Sequence, residues 1–322
     1  MKLLSLKNLV TVVACLVAIP LVMAQGVYPI KPISIVLPAA PGMGADVVAR
    51  VIAEKMSRQL GQSVLIDNRP GAGGLIAANH VLAAAPDGYT LLLNASTFAI
   101  QAGLPGKITY SIQKDFAQIG GMAIFPQLLV ASPKTDVSSF ADFISRSKKE
   151  TINTGSAGIG STSHFTMEMF KAITGVKINH VPYKGTSDMQ LGLMSGDVAI
   201  GFDSLAASVP RLGPGQLKPV AVATNQRVPM LPSIPTLLEL GYPAMISSSW
   251  TGLSAPAKTP VAILDRLNVE LRKAVAEPDV KARIESLGAV PLDHTRDQFS
   301  AFLDSELDKW ARVIRESGVK MQ

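Results

Sequence analysis

Ile33-Ser34-Ile35-Val36-Leu37 is the first sustained alternation of apolar character in the chain after its leading segment, and it predicts a buried strand. A loop rich in proline and glycine follows. Val47, Val48, Val51, Ile52, Met56 and Leu60 then recur at helical spacing up to Gly61, a residue type that commonly ends helices. Val64-Leu65-Ile66 and Thr90–Leu93 predict two more strands, with a helix from Leu75 to Ala85 between them that stops at Pro86-Asp87-Gly88. This succession predicts a parallel, doubly wound half.

The same order returns further along. Strands are predicted around Ile152-Asn153-Thr154, Ile178–Val181 and Val198–Phe202, alternating with helices at Ser161–Thr174 and Thr186–Ser195. Two similar lobes are therefore expected. Between them lies the apolar extended run Ile119–Ser132, and a second run, Ser247–Ala255, returns the chain to the first lobe, so two crossings imply a hinge. Near the C-terminus, Leu264, Leu267, Leu271 and Val275 fall at helical spacing. A helix opened by Pro278 ends at Gly288, and a last one carries Phe299, Leu303, Trp310 and Ile314 on one side. These predict packing and no chemistry. The expected layout places residues 25–124 and 248–322 in one lobe and 125–247 in the other.

Composition narrows the function. The 322 residues suffice for about two domains. With 48% hydrophobic and only 17% charged residues, the chain is globular and carries no single-sign charge run of the kind that binds nucleic acid. Aromatic residues make up 5%, so stacking sites are scarce. Lys2 and Lys7, the apolar stretch Leu9–Val22 and Val22-Met23-Ala24 before Gln25 read as a secretory signal peptide over residues 1–24. A membrane anchor fits less well, because the run is short of the ~18 apolar residues that span a bilayer and Pro20 interrupts it. A lipidated Cys15 would have only Leu9–Ala14 before it. Cleavage removes two lysines and the only cysteine, leaving about +4 of the +6 net charge and no thiol or disulfide chemistry.

Open parallel sheets bind ligands beyond the carboxyl ends of their strands, which directs attention to the loop after the first strand of each lobe. In the first lobe this loop is Ala39-Ala40-Pro41-Gly42-Met43-Gly44-Ala45-Asp46, where glycines bring backbone N–H groups close to a ligand. Asp46 is expected to cap the following helix, which leaves an anion the loop N–H groups before it. In the second, Ser156-Ala157-Gly158-Ile159-Gly160-Ser161-Thr162-Ser163-His164 enters a helix with Ser161 as the cap and Phe165, Met169 and Ile173 on the buried side. Its hydroxyls and helix N-terminus suit a carboxylate or phosphate, although a tight glycine turn with ordinary capping accounts for the same pattern. Neither loop has Walker A or GxGxxG spacing, which argues against nucleotides. A hydrolase triad of Ser156 or Ser161 with His164 and Asp203 is conceivable on residue type, yet no G-x-S-x-G elbow supports it. His80, His164, His180 and His294 are too scattered to predict a metal site.

Several motifs in fixed order carry a resemblance. Tyr28-Pro29-Ile30-Lys31-Pro32-Ile33, Pro41-Gly42 with Asp46, Asp67-Asn68-Arg69-Pro70-Gly71-Ala72-Gly73-Gly74, Pro86-Asp87-Gly88-Tyr89-Thr90-Leu91-Leu92, His180-Val181-Pro182-Tyr183-Lys184-Gly185, Leu231-Pro232-Ser233-Ile234-Pro235-Thr236 and Trp250-Thr251-Gly252-Leu253-Ser254-Ala255-Pro256 resemble the tripartite tricarboxylate transporter substrate-binding proteins, or Bug receptors. The resemblance implies a two-lobed periplasmic binding protein fold, type II-like, each lobe a doubly wound, mostly parallel sheet flanked by helices, with two crossover strands. It also implies a monomeric periplasmic receptor that closes on a small organic carboxylate and hands it to transporter membrane subunits, without catalysis, cofactor or metal. The gripping loops would correspond to Ala39–Asp46 and Ser156–His164, while Ser96, Thr97 and Asp203 sit where members often touch the rest of the ligand. An acid such as Asp203 in the pocket would favour a ligand bearing an ammonium or hydroxyl group. Met43 departs from the second glycine usual after Pro-Gly.

Overall fold

The computed structural model describes residues 28–104, 106, 108–137 and 139–318. The segment read as a signal peptide, with Cys15, lies outside the described residues.

Strands β1 (Ile33–Leu37), β2 (Val64–Asn68) and β3 (Thr90–Ala95) are parallel, with β1 in the middle. Helix α1 (Gly44–Leu60) connects the first two and α2 (Leu75–Leu82) the next. The burial patterns explain the pairing: Ile33, Ile35, Val36 and Leu37 are fully buried because helices cover both faces of β1. Gly61 ends α1 at φ 67, as its position after Leu60 predicts. A short helix, α3 (Ser96–Ala102), continues directly from β3.

The second unit repeats this plan. After α4 (Phe140–Lys149), the parallel strands β5 (Ile152–Ser156), β6 (Ile178–Pro182) and β7 (Ile200–Ser204) place β5 in the middle, joined through α5 (Thr162–Thr174) and α6 (Thr186–Ser195). The strand order β2-β1-β3 thus recurs as β6-β5-β7. Strand β7 starts two residues later than predicted, because Val198 turns back to bond the Gly192 carbonyl. Ile173, expected inside, is 38% exposed, in a last turn of α5 where residues 171–173 are all exposed.

Two antiparallel strands tie the units together. The 16-residue β4 (Phe116–Ala131) pairs with β9 (Ser248–Pro256) through Phe116–Pro126, then with β7 and β8 (Lys218–Val222) through Gln127–Ala131. The change of partner falls between Pro126 and Gln127. Strand β9 also pairs with β3, so the sheet order runs β2-β1-β3-β9-β4-β7-β5-β6. The short α7 (Leu205–Ser208) follows β7, and the C-terminal helices α8 (Val261–Ala276), α9 (Pro278–Ser286) and α10 (Arg296–Ser317) pack on the sheet, with a two-residue strand β10 (Val290–Pro291) on β4. Helix α10 opens with a capping box at Thr295 and Gln298 and reaches the second unit, where Trp310 meets Phe165 of α5 edge-on at 6.5 Å. No helix among the described residues is long and apolar enough to cross a membrane.

Candidate functional site

The loop after β1 is held by one carboxylate. Asp46 is 2% exposed and does not cap α1: the N-cap is Met43, and Asp46 stands in the first turn, where its Oδ2 reaches back to accept the Gly42 N–H at 2.9 Å. A carboxylate three residues inside a helix reaches the loop N–H before it, as in half of a capping box. The Arg50 guanidinium binds both carboxylate oxygens at 2.9 Å, and Asn68 Nδ2 donates to Asp46 Oδ1 and to the Ala39 carbonyl. Burial pulls the Asp46 carboxyl upward, but the donors Arg50, Gly42 and Asn68 outweigh it and hold the group below the ordinary range. Asp46 is therefore committed to the loop, and the Gly42 N–H is taken. The first N–H groups of α1 have no intrahelical acceptor, and Met43 supplies no side-chain cap. Gly42 absorbs the left-handed turn at φ 83, so Met43 sits unstrained at φ −71 with its side chain 54% exposed, while Ala40 and Pro41 are also exposed.

The loop after β5 is built from hydroxyls and two imidazoles. Ser161 caps α5 as expected, accepting the His164 N–H at 3.2 Å and donating to the Gly158 carbonyl at 2.6 Å. Ser163 Oγ accepts the Ala157 N–H at 3.0 Å, and Ser156 Oγ accepts that of Gly158 at 3.2 Å. The His164 ring accepts the Gly160 N–H at Nδ1, 3.2 Å away. An accepting Nδ1 must be unprotonated. His180 on β6 stacks on His164 with ring centres 4.2 Å apart, and its Nε2 lies 2.6 Å from Ser156 Oγ. Burial, then the neighbouring His180 and the Lys171 charge, push the His164 imidazole down to about 4. Burial and Lys171 lower His180 as well.

One side-chain contact spans the two units, between the helix after β3 and the helix after the second loop. Ser96 Oγ, at the start of α3, lies 3.2 Å from Thr162 Oγ1, at the start of α5, and both residues are buried. Thr97 is half-buried beside Ser96. At the other side of the junction, a Cβ on Gly44 would stand 3.3 Å from the Phe125 ring of β4 and 3.9 Å from Ala206 of α7. Asp203 ends up elsewhere in its own unit. It is 1% exposed, and Gln190 Nε2, Ser208 Oγ and the Ser204 N–H fill its oxygens at 2.7–2.9 Å. Burial pushes its carboxyl up to about 6 against those donors and the Arg211 charge.

The hydrolase arrangement is not assembled. Ser161 Oγ meets the backbone of His164 and not its ring, the ring's Nδ1 is engaged by Gly160, and Asp203 is bound by other donors. Sequence reasoning missed Arg50, Asn68 and Ser163 as loop holders. The spacing of Arg50 four residues beyond Asp46 was the available signal for the first of them.

A family model described as "Tripartite tricarboxylate transporter family receptor" matches residues 48–319. The chain belongs to this family. It is 34% identical to Protein BugT of Bordetella pertussis over 92% of each chain. Among solved structures, it matches an R. palustris protein with adipate at 33% identity and TM-score 0.82, covering 90% of this chain and 98% of that one. The periplasmic binding protein BugD matches at 32% identity and TM-score 0.79, over 92% and 100%. MatC from Rhodopseudomonas palustris with bound malate matches at 32% identity and TM-score 0.78, over 89% and 100%. The fold is thus the two-lobed periplasmic binding protein fold that the motifs implied, and the repeated β2-β1-β3 and β6-β5-β7 order is its internal signature. As a Bug-type receptor, the chain is kin to proteins solved with small carboxylates.

Proposed function

We propose that this chain is a periplasmic receptor that captures a small organic carboxylate between two lobes and delivers it to transporter membrane subunits. The lobes are residues 25–124 with 248–322 and residues 125–247, joined by β4 and β9, and export removes residues 1–24. The observation that supports it is the Ser96–Thr162 contact, which joins the helix after β3 in the first unit to the start of α5, the helix that the loop Ser156–Ser161 enters. Both loops end in a helix N-terminus, where backbone N–H groups favour an anion. Ala39–Asp46 supplies the grip from one side and Ser156–His164 that from the other, with Thr97 beside them.

No buried arginine is needed for such a site. Hydrogen bonds to a charged group contribute about 1.5–3 kcal/mol each. Four or five of them, less about 4 kcal/mol for association, reach the roughly −8 kcal/mol of micromolar binding. Neutral donors also spare the open cleft an unpaired buried charge. The receptor is read as a monomer that works without catalysis; the unassembled Ser161, His164 and Asp203 arrangement supports the second part of that reading. The adipate and malate relatives support a carboxylate as the ligand class.

A thermal-shift panel of mono-, di- and tricarboxylates, aromatic acids and acidic amino acids tests this on protein stripped of co-purified ligand by unfolding and refolding. Ligand at 100 times its Kd adds about 2.7 kcal/mol to stability. Absence of stabilisation by every acid overturns the reading.

A further inference from the structure

Two buried polar atoms sit without partners on one face of the crossover strands. Gln127 is 2% exposed and Thr251 is 3% exposed, yet Gln127 Oε1 and Thr251 Oγ1 have no hydrogen-bond partner. Side chains alternate along a strand, so Phe125 and Gln127 share a face of β4. The pairs Phe125–Ser249 and Ala123–Thr251 place Ser249 and Thr251 on that same face of β9. Gln127 Nε2 reaches Ser249 Oγ only at 3.4 Å. Phe125 anchors this strip to the site, because its ring lies 3.3 Å from where a Cβ of Gly44, the first residue of α1, would stand. Gln127 is also the residue at which β4 leaves β9 and joins β7, the floor of the junction between the two lobes.

Unpaired buried polar atoms are rare in folded proteins, and each marks a place where a water or ligand atom belongs. The chemistry of this strip is neutral. The amide oxygen of Gln127 accepts, and the hydroxyls of Ser249 and Thr251 both donate and accept. A second carboxylate has no proton to give Gln127 Oε1 and would leave that acceptor unpaired, and an ammonium group would find no anion to offset its desolvation. A hydroxyl satisfies the set: it donates to Gln127 Oε1 and accepts from Thr251 or Ser249. We propose that Gln127, with Ser249 and Thr251, reads a hydroxyl on the ligand, so that the preferred substrates are hydroxy-substituted carboxylates. This rests on the carboxylate-receptor reading above and specifies its substrate class.

Titration calorimetry on the whole stripped protein with matched pairs tests it: malate against succinate, lactate against propionate, and 3-hydroxybutyrate against butyrate. The hydroxy acid of at least one pair binds about tenfold or more tighter than its partner, since a site built for a hydroxyl rejects the analogue lacking it. Gln127→Leu brings that ratio close to one, and the isosteric Thr251→Val lowers it. Far-ultraviolet circular dichroism checks that each variant is folded, and Thr251→Val alone decides the matter if Gln127→Leu does not fold. Equal binding within every pair, or a preference that survives in the folded variants, overturns this proposal alone. Binding of no acid at all overturns the receptor reading and this proposal with it.

Discussion

The Ser96 and Thr162 hydroxyls lie 3.2 Å apart although 66 residues separate them, one opening a helix of the first unit and the other a helix of the second. Each hydroxyl is shielded from water. In the proposed closing of the two units, such a bond forms only when they are together, so its free energy would enter that equilibrium directly. In the double variant Ser96→Ala, Thr162→Val both partners are gone and no buried donor is stranded. A neutral hydrogen bond contributes about 0.5–1.5 kcal/mol, so ligand affinity is expected to fall about two- to tenfold while the melting temperature of the ligand-free protein changes little. Calorimetry on the variant and on wild type reads this difference. An unchanged Kd sinks the role assigned to the contact.

Gly44, the first residue of α1, faces Phe125 of β4 and Ala206 of α7. A methyl group at that position would already press on Phe125 at 3.3 Å and touch Ala206 at 3.9 Å. Gly44→Leu therefore keeps the lobes from meeting. Carboxylate affinity is expected to drop by about two orders of magnitude or more, which is about 2.7 kcal/mol. Small-angle scattering is the second readout: the variant should keep its ligand-free radius of gyration when carboxylate is added, where wild type contracts. Contraction of the variant on adding ligand would refute the steric account.

How much of this was legible beforehand follows from what each feature depends on. The strand Ile33–Leu37 and the helix Thr186–Ser195 match their predicted bounds, because local apolar period and the flanking residues set them, Pro32 and Pro38 for the strand and Gly185 and Gly196 for the helix. Strand β8 escaped prediction: it is short, carries Pro219, and pairs with β4 while its other side has just one bridge, from Val222 to Thr236, an edge position where such a proline is tolerated. The Ser161 cap could be read from three neighbouring residues. By contrast, the stacking of His164 on His180 and the Asn68 bond to Asp46 join residues on different elements, and no local pattern encodes them. Asp203 shows the same limit from the other side. Its place at the end of a strand suggested the cleft, and only the fold reveals Gln190 and Ser208 filling its oxygens.

Asp46 offers a stability test of the first loop. Its oxygens accept only donors, from Gly42, Asn68 and Arg50. Asp46→Asn turns one acceptor into a donor facing donors, so a loss of about 1–3 kcal/mol is expected. The exposed side of Arg50 keeps the figure at the lower end, because water screens that part of the pair. Asp46 is also held below the usual carboxylate range in the folded state, so its contribution is present above the unfolded value of 3.8 and is lost as pH falls through the lower folded value. Urea unfolding at pH 7 and pH 3 should show the variant's deficit shrinking at the lower pH. A constant deficit would place the loss elsewhere than in the carboxylate.

Two buried groups should give opposing pH dependences that separate variants can resolve. The His164 imidazole titrates near 4 when folded and at 6.5 when unfolded, so the unfolded chain binds the extra proton between those values. Stability from His164 is complete above 6.5 and is lost as pH falls toward 4, at most on the order of 3 kcal/mol. Asp203 runs the other way. Its folded value near 6 lies above the unfolded 3.8, so the folded protein binds the extra proton between them, and stability from Asp203 is complete below 3.8 and is lost as pH rises through 6. His164→Asn leaves an oxygen able to accept the Gly160 N–H where Nδ1 does now, and it removes the titration without removing the acceptor. Between pH 7 and pH 4.5 this variant should lose less stability than wild type, whereas Asp203→Asn should lose more, because the compensating carboxyl is gone. Chemical denaturation across that range measures both slopes. Parallel curves for wild type and His164→Asn would mean that the ring in the folded protein titrates as it does in the unfolded chain, and that the Gly160 contact does not hold its Nδ1 unprotonated.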